Sequence, residues 1–169
     1  IKKNHKKPII SSYLPSYDPD TKSKDEDKLN DVWRTYIDRF MPEGPIFIFP
    51  ESIEDKQAEP EPARFLSGHF IFANGSFVNE VPYDPKLYFH GEESSLAARA
   101  YTHGYDLFHL HRPWFWHHYT RSKGARHWDD VEKWQELNNK SFLRFKQLFG
   151  MDGIRKRHFP KYGFGKKRS

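Results

Sequence analysis

The sequence contains no cysteine, which excludes a disulfide framework and thiolate metal ligation and fits a reducing compartment. No apolar run approaches the roughly 18 to 20 residues that a membrane-spanning helix needs, and no signal-peptide pattern is present. The segment is therefore expected to be soluble, with no membrane segment and a cytoplasmic location. There is no internal repeat. There is also no RRM, KH, zinc-finger or helix-turn-helix signature, which argues against nucleic acid as a partner.

What is present is charge and aromatic surface. A chain of 169 residues is long enough for one domain with a real core. It opens on Ile1 and ends on the basic run "GKKRS", and is expected to be a piece of something longer. Lys and Arg number 28 against 23 Asp and Glu, a formal net charge of +5. The excess sits in "IKKNHKK" and "IRKRHFPKYGFGKKR", which favours anionic partners: nucleotide phosphates, nucleic acid or an acidic protein surface. Phe, Trp and Tyr make up 17% of the residues and cluster with His and Gly from Phe65 onward, as in sites for sugars and bases and equally in aromatic-rich cores.

Three stretches divide the chain: loop-rich strands and a linker over 1–62, a core over 63–128, and a helix with a basic tail over 129–169. Ile9-Ile10 predicts a short strand, followed by a long loop rich in proline and charge. "PIFIFP", 45–50, predicts a second strand held between prolines. "EDKQAEPEPAR" predicts an exposed linker, since Pro and Glu at that density neither pair nor bury. Phe70 and Phe72 then give strand alternation before an Asn74-Gly75 turn. Glu92, Glu93 and Ser94 favour the positive end of a helix whose stripe is Leu96, Ala97, Ala100 and Tyr101, with Gly104 as the stop. "YDLFHLHR" predicts a strand, with "WFWHHYTR" continuing it or forming the next. Val131, Trp134, Leu137, Phe142, Phe145 and Leu148 are the apolar set of a last helical region ended by Gly150.

Several residues could carry chemistry. His109, His111 and His117 share strand parity and could form a histidine zinc site, or could simply be surface and packed residues. Glu92 and Glu93 follow Gly91, where a carboxylate could accept sugar hydroxyls close to the backbone; dipole capping explains the same charges. Asp18-Pro19-Asp20 spells a D-x-D metal pair, yet turn chemistry already accounts for it. The tail with Tyr162 and Phe164 reads as a solvated end or a phosphate-binding lid; a non-catalytic module binding nucleic acid or an acidic protein is the alternative reading of the whole chain.

The order of "SGHFIFANGSFVNEV", the Asp84-Pro85 turn, Phe89 to Glu93 in "FHGEE", a helix with Arg99, and "RPWFWHHYTR" resembles the second half of a GT-A type nucleotide-sugar transferase. The resemblance is to the hydroxyproline or protein GlcNAc-transferase family, and more distantly to the polypeptide GalNAc-transferases. It implies an α/β fold, the acceptor-side part of a GT-A domain, with a mixed sheet and flanking helices. It implies a metal-dependent, retaining hexosyltransferase that moves a sugar, GlcNAc by preference, from a UDP-sugar donor to a protein or peptide hydroxyl. A divalent metal, Mn2+ or Mg2+, is implied as cofactor, with His117 as its ligand beside a D-x-D pair expected upstream of Ile1. Glu92 would contact the donor sugar, and Glu93 stands where the GalNAc-transferases carry Asn. Gly68, His69, Gly91, Tyr119 and Arg121 fall at donor-binding positions. Lacking the nucleotide-binding half, the segment alone is expected to transfer no sugar.

Overall fold

The N-terminal Ile9-Ile10 pair becomes the middle of the sheet. β1 (Pro8–Ser11) runs parallel to β8 (Asp106–His109) on one side and antiparallel to β7 (Ile71–Ala73) on the other. β8 in turn pairs antiparallel with β6 (Glu61–Pro62), giving a mixed four-stranded sheet of order β6-β8-β1-β7. Ile9 is fully buried because both neighbours in the sheet and a helix cover it. The chain is described by a computed structural model covering residues 5–19, 23–24, 32–53, 58–119, 126–153, 159 and 161–165.

Among the described residues two further ladders lie outside this sheet. β2 (Tyr17–Asp18) pairs with β3 (Ser23–Lys24), and β4 (Val32–Phe40) forms a long hairpin with β5 (Ile46–Ile53), bulged between Ile37 and Arg39. β5 takes up the expected 45–50 strand from Ile46 and runs on past Pro50 to Ile53; its partner β4 was not foreseen. The proline-rich linker expected over the stretch to Arg64 is corrected at its end. Glu61 faces His109, Pro62 faces Phe108, and Ala63 N–H bonds the Leu107 carbonyl at 2.8 Å. Proline is tolerated there because β6 is an edge strand, where a missing N–H costs no ladder bond. Glu61 also pairs with Arg34 of β4, tying the hairpin to the sheet edge.

After β7 the Asn74 carbonyl accepts the Phe77 N–H at 2.9 Å and opens α1 (Phe77–Glu80). α2 (Glu92–Thr102) is the helix expected from the acidic start, and α3 (His127–Asp130) and α4 (Trp134–Phe149) follow β8. The core joins Ile9, Leu66, Phe77, Val81, Leu96, Ala97, Ala100, Tyr105 and Leu107. Tyr101, expected on the buried stripe of α2, is 58% exposed, and Arg99 takes the buried place at 1%. Arg99 can be buried because its guanidinium donates to the Pro82 carbonyl at 2.8 Å and lies over the Tyr162 ring. Nearby, Arg144 of α4 donates to the buried Asp84 carboxylate at 2.6 Å.

α4 buries Phe142, Phe145 and Leu148, while Leu137 is 37% exposed. It ends on Gly150 in the left-handed region, as expected. Its Ser141 is fully buried and accepts the Tyr88 N–H at 2.6 Å, which pins the segment leading to α2. In the tail, Phe164 and Gly165 pack against the ends of α4 and α2, while the basic residues 155–157 and 166–168 lie outside the described residues. Phe164 meets Phe149 at 5.3 Å between centroids, and the Gly165 N–H bonds Thr102 Oγ1 at 3.0 Å.

"WFWHHYTR" is not a strand as far as Tyr119. Only His117 pairs, in a single parallel bridge with Ser16. Its N–H donates to the Pro15 carbonyl at 2.9 Å, and its carbonyl accepts the Tyr17 N–H at 3.0 Å. β8 ends at His109, so His111 lies outside the strand that parity assumed. No described helix is long and apolar enough to cross a membrane.

Candidate functional site

Gly68, His69, Gly91, Glu92 and Glu93, five residues singled out from the sequence, line one cavity of about 400 Å³. That size falls in the usual range for small-molecule sites. The turn after Leu66 delivers the first two. Ser67 N–H donates to Ser11 Oγ at 2.7 Å, and that hydroxyl donates to the Phe70 carbonyl at 2.8 Å, so the central strand holds the turn. The start of α2 delivers the rest. Gly91 adopts φ +90, which an L side chain rarely does, and this kink aims the two carboxylates at the turn.

The Gly68 N–H donates to Glu93 Oε1 at 2.6 Å. A Cβ at residue 68 would stand 3.3 Å from Glu93 Oε1 and 3.5 Å from Glu92 Oε1, so both carboxylates converge on the Gly68 backbone and a side chain there would crowd Glu93. Burial raises the pKa of both. Glu92 is pushed up to about 7, first by desolvation and then by the charge of Glu93, against a hydrogen bond from Tyr83. Glu93 is raised by burial, with the Gly68 N–H holding it back. Glu92 Oε2 is buried with no hydrogen-bond partner among the described residues. One carboxyl is thus committed to the backbone, while its neighbour, held by Tyr83, titrates near neutrality.

The remaining wall is aromatic and apolar: Tyr13, Phe47 and Phe89 with Ile46 and Ile48. None of these was foreseen. They come from the loop after β1, from β5 and from the approach to α2, and no local spacing links the three. The "FHGEE" motif contained Phe89 and His90 but gave no reason to place them in a cavity wall.

His117 and Tyr119 do not line this cavity; they stack behind it. His69 lies 4.6 Å from His117 and 5.4 Å from Tyr119 between ring centroids, and His117 lies 4.4 Å from Tyr119. The Tyr119 hydroxyl donates to the Leu14 carbonyl. His69 is held neutral, its pKa lowered to about 4 by burial and by His117, so it offers hydrogen bonds and ring surface and no positive charge. Arg121 lies outside the described residues, as does Asp20 of the D-x-D spelling. Asp18 sits on β2, two residues beyond the Ser16 that bridges to His117.

The zinc alternative required His109, His111 and His117 to converge. Among the described residues no group of three or more His, Asp or Glu side chains is placed to hold a metal ion. His109 is buried in β8, where desolvation and Arg34 lower its pKa to about 4. The described residues therefore do not assemble a metal donor set by themselves, and His117 would supply one ligand at most. The nucleic-acid alternative required the tail aromatics to form an exposed stripe, and Tyr162 and Phe164 instead lie against Arg99, Arg144 and Phe149.

A glycine turn, paired half-buried carboxylates and an aromatic wall suit a polyhydroxylated ring. The comparisons point the same way. Residues 1–168 match the family described as Glycosyltransferase (GlcNAc). No curated protein and no solved structure matches the chain. With all but the last residue covered, the chain belongs to the GlcNAc glycosyltransferase family.

Proposed function

We propose that the chain is the sugar-handling part of a GT-A type, retaining hexosyltransferase that moves GlcNAc from a UDP-sugar to a hydroxyl of a protein. The observation that carries this reading is the convergence of Glu92 and Glu93 on the Gly68 backbone in an aromatic-walled cavity. In the transfer, the bond from the sugar C1 to the diphosphate oxygen breaks and a bond to the acceptor oxygen forms on the same face. The acceptor proton leaves with the departing phosphate.

The chain's own residues have distinct parts in this. Glu93, fixed by the Gly68 N–H, positions the turn against the sugar. Glu92 lines the cavity with a pKa near 7, so it can accept from or donate to a sugar hydroxyl at working pH. Phe47 and Phe89 offer apolar faces to the ring and exclude water, which strengthens the polar contacts. Gly91 allows the ligand close to the start of α2. His69, backed by His117 and Tyr119, is a neutral wall residue at the mouth nearest β1.

A divalent ion, Mn2+ or Mg2+, enters this proposal only through His117, which would give it one imidazole; its other ligands would lie outside the described residues. Such an ion would neutralise charge on the departing phosphate. The test is turnover of UDP-GlcNAc by the longest natural form of the protein with serine-, threonine- and hydroxyproline-containing peptides, read as UDP release and as peptide mass gain. Glu92→Gln should lower kcat/KM at least tenfold with an unchanged melting temperature. Full activity in that variant, or turnover by the isolated 1–169 segment, would contradict the assignment.

A further inference from the structure

Residue 11 is a serine at a place where a buried strand suits a branched apolar side chain. It ends β1 on the same side as Ile9 and, like Ile9, is buried, at 1% exposure. A buried hydroxyl needs partners, and this one has two. Ser11 Oγ accepts the Ser67 N–H at 2.7 Å and donates its one proton to the Phe70 carbonyl at 2.8 Å; the Ser67 carbonyl, at 3.3 Å, is the longer alternative. Ser67 and Phe70 are the two ends of one turn, which the Phe70 N–H closes on the Ser67 carbonyl at 3.3 Å. A single hydroxyl from the central strand thus spans the turn from end to end.

The two residues between those ends are Gly68 and His69, and both line the cavity, whereas Ser11 does not. The Ser67 carbonyl and the Gly68 N–H belong to one rigid peptide plane and point in opposite directions. With the carbonyl turned inward to Phe70, the N–H is turned outward, where it meets Glu93 Oε1 at 2.6 Å. We propose that Ser11 is a positioning residue for the sugar donor: from outside the cavity it clamps the Ser67–Phe70 turn, so that the Gly68 N–H holds Glu93 and Gly68 and His69 face the ring. The proposal rests on reading the cavity as a sugar site. Ser11→Ala removes the hydroxyl and adds no volume. The Phe70 carbonyl then keeps the Ser12 N–H at 3.3 Å, but the Ser67 N–H loses its 2.7 Å partner. A buried N–H left unpaired is costly, so the turn shifts toward another partner and the Ser67–Gly68 plane turns with it.

The experiment uses the longest natural form of the protein, labelled with nitrogen-15 at glycine, and reads the Gly68 amide by NMR beside the kinetics of UDP-GlcNAc turnover. In the wild type the Gly68 amide proton should lie downfield and exchange slowly, as a donor to a carboxylate does. Ser11→Ala should move it upfield, speed its exchange about tenfold, and raise KM for UDP-GlcNAc about tenfold with kcat changed less than twofold, since the turn meets the sugar before and during reaction alike. Ser11→Cys keeps the shape with a weaker hydrogen-bonding group, should show the same changes to a smaller degree, and serves if the alanine variant does not fold. Gly104→Ala is the control for lost stability: φ there is +88, an added Cβ meets nothing within 4 Å, and the residue lies beyond the far end of α2. It should lower the melting temperature and leave both KM and the Gly68 resonance unchanged. An unmoved Gly68 resonance in folded Ser11→Ala overturns the proposal, as does an unchanged KM or an equal rise of KM in Gly104→Ala. If no form of the protein, wild type included, binds or turns over UDP-GlcNAc, the transferase reading falls, and the Gly68 resonance still decides whether Ser11 sets the turn.

Discussion

The kink before α2 allows a controlled measurement. At Gly91 the backbone stands at φ +90, and an added Cβ would lie 2.9 Å from Phe145 Cδ2 and 3.2 Å from Pro45 Cγ. At Gly104, just past the other end of the same helix, φ is +88 and a Cβ would meet nothing within 4 Å. Gly104→Ala therefore reports backbone strain alone, about 1 to 2 kcal/mol. Gly91→Ala carries the same strain plus the overpacking of Phe145 and Pro45, about 1 to 3 kcal/mol more. For a domain of this size each kcal/mol moves the melting temperature by about 2 to 4 °C. Thermal and urea unfolding of the two variants should therefore separate them by about 2 to 12 °C, with Gly91→Ala the lower. Equal losses would refute the claim that Gly91 is held by its contacts as well as by its torsion.

Glu92 gives a pH signature. A carboxyl that keeps its proton to about pH 7 when folded, against 4.5 ordinarily, binds more protons folded than unfolded in between. Stability is then full below about pH 4.5 and falls as pH rises through about 7, by on the order of 3 kcal/mol, and Glu92→Gln should flatten that slope in urea titrations at several pH values. The buried Asp84–Arg144 pair predicts asymmetry: Asp84→Ala strands the guanidinium and costs about 3 to 5 kcal/mol, whereas Asp84→Leu with Arg144→Met costs less than the two single losses together. His117→Ala should lower transfer by the longest natural form of the protein far more than His118→Ala, since only His117 stacks on His69; equal losses would contradict that division.

The sequence was most informative where one residue type fixes its own surroundings. A glycine followed by two acids predicted the start of α2, and Ile9-Ile10 predicted the strand that became the sheet's centre. Local pattern misled where a neighbour far along the chain decided the outcome. Glu61–Pro62 looked like linker and became an edge strand because β8 offered it an unpaired side. "WFWHHYTR" looked like strand, and among its described residues only His117 takes a strand bridge, to Ser16. Arg99 reads as surface until Pro82 and Tyr162 close over it. The same holds in the site: the carboxylates and the Gly68 turn were legible in "SGH" and "GEE", while the aromatic wall needed Tyr13, Phe47 and Phe89 to meet from three distant segments.

The contact between Gly165 and the end of α2 bears on how the protein is handled at the bench. A Cβ at residue 165 would lie 2.4 Å from the Thr102 carbonyl oxygen, so the chain crosses this helix end with no room for any other residue. The helix that presents Glu92 and Glu93 at one end is thus clasped at the other by a stretch that looks dispensable. Shortening the basic terminus to aid purification or crystallisation is safe only beyond Gly165. A cut before Phe164 would uncover Phe149 and release the far end of the helix on which both carboxylates depend.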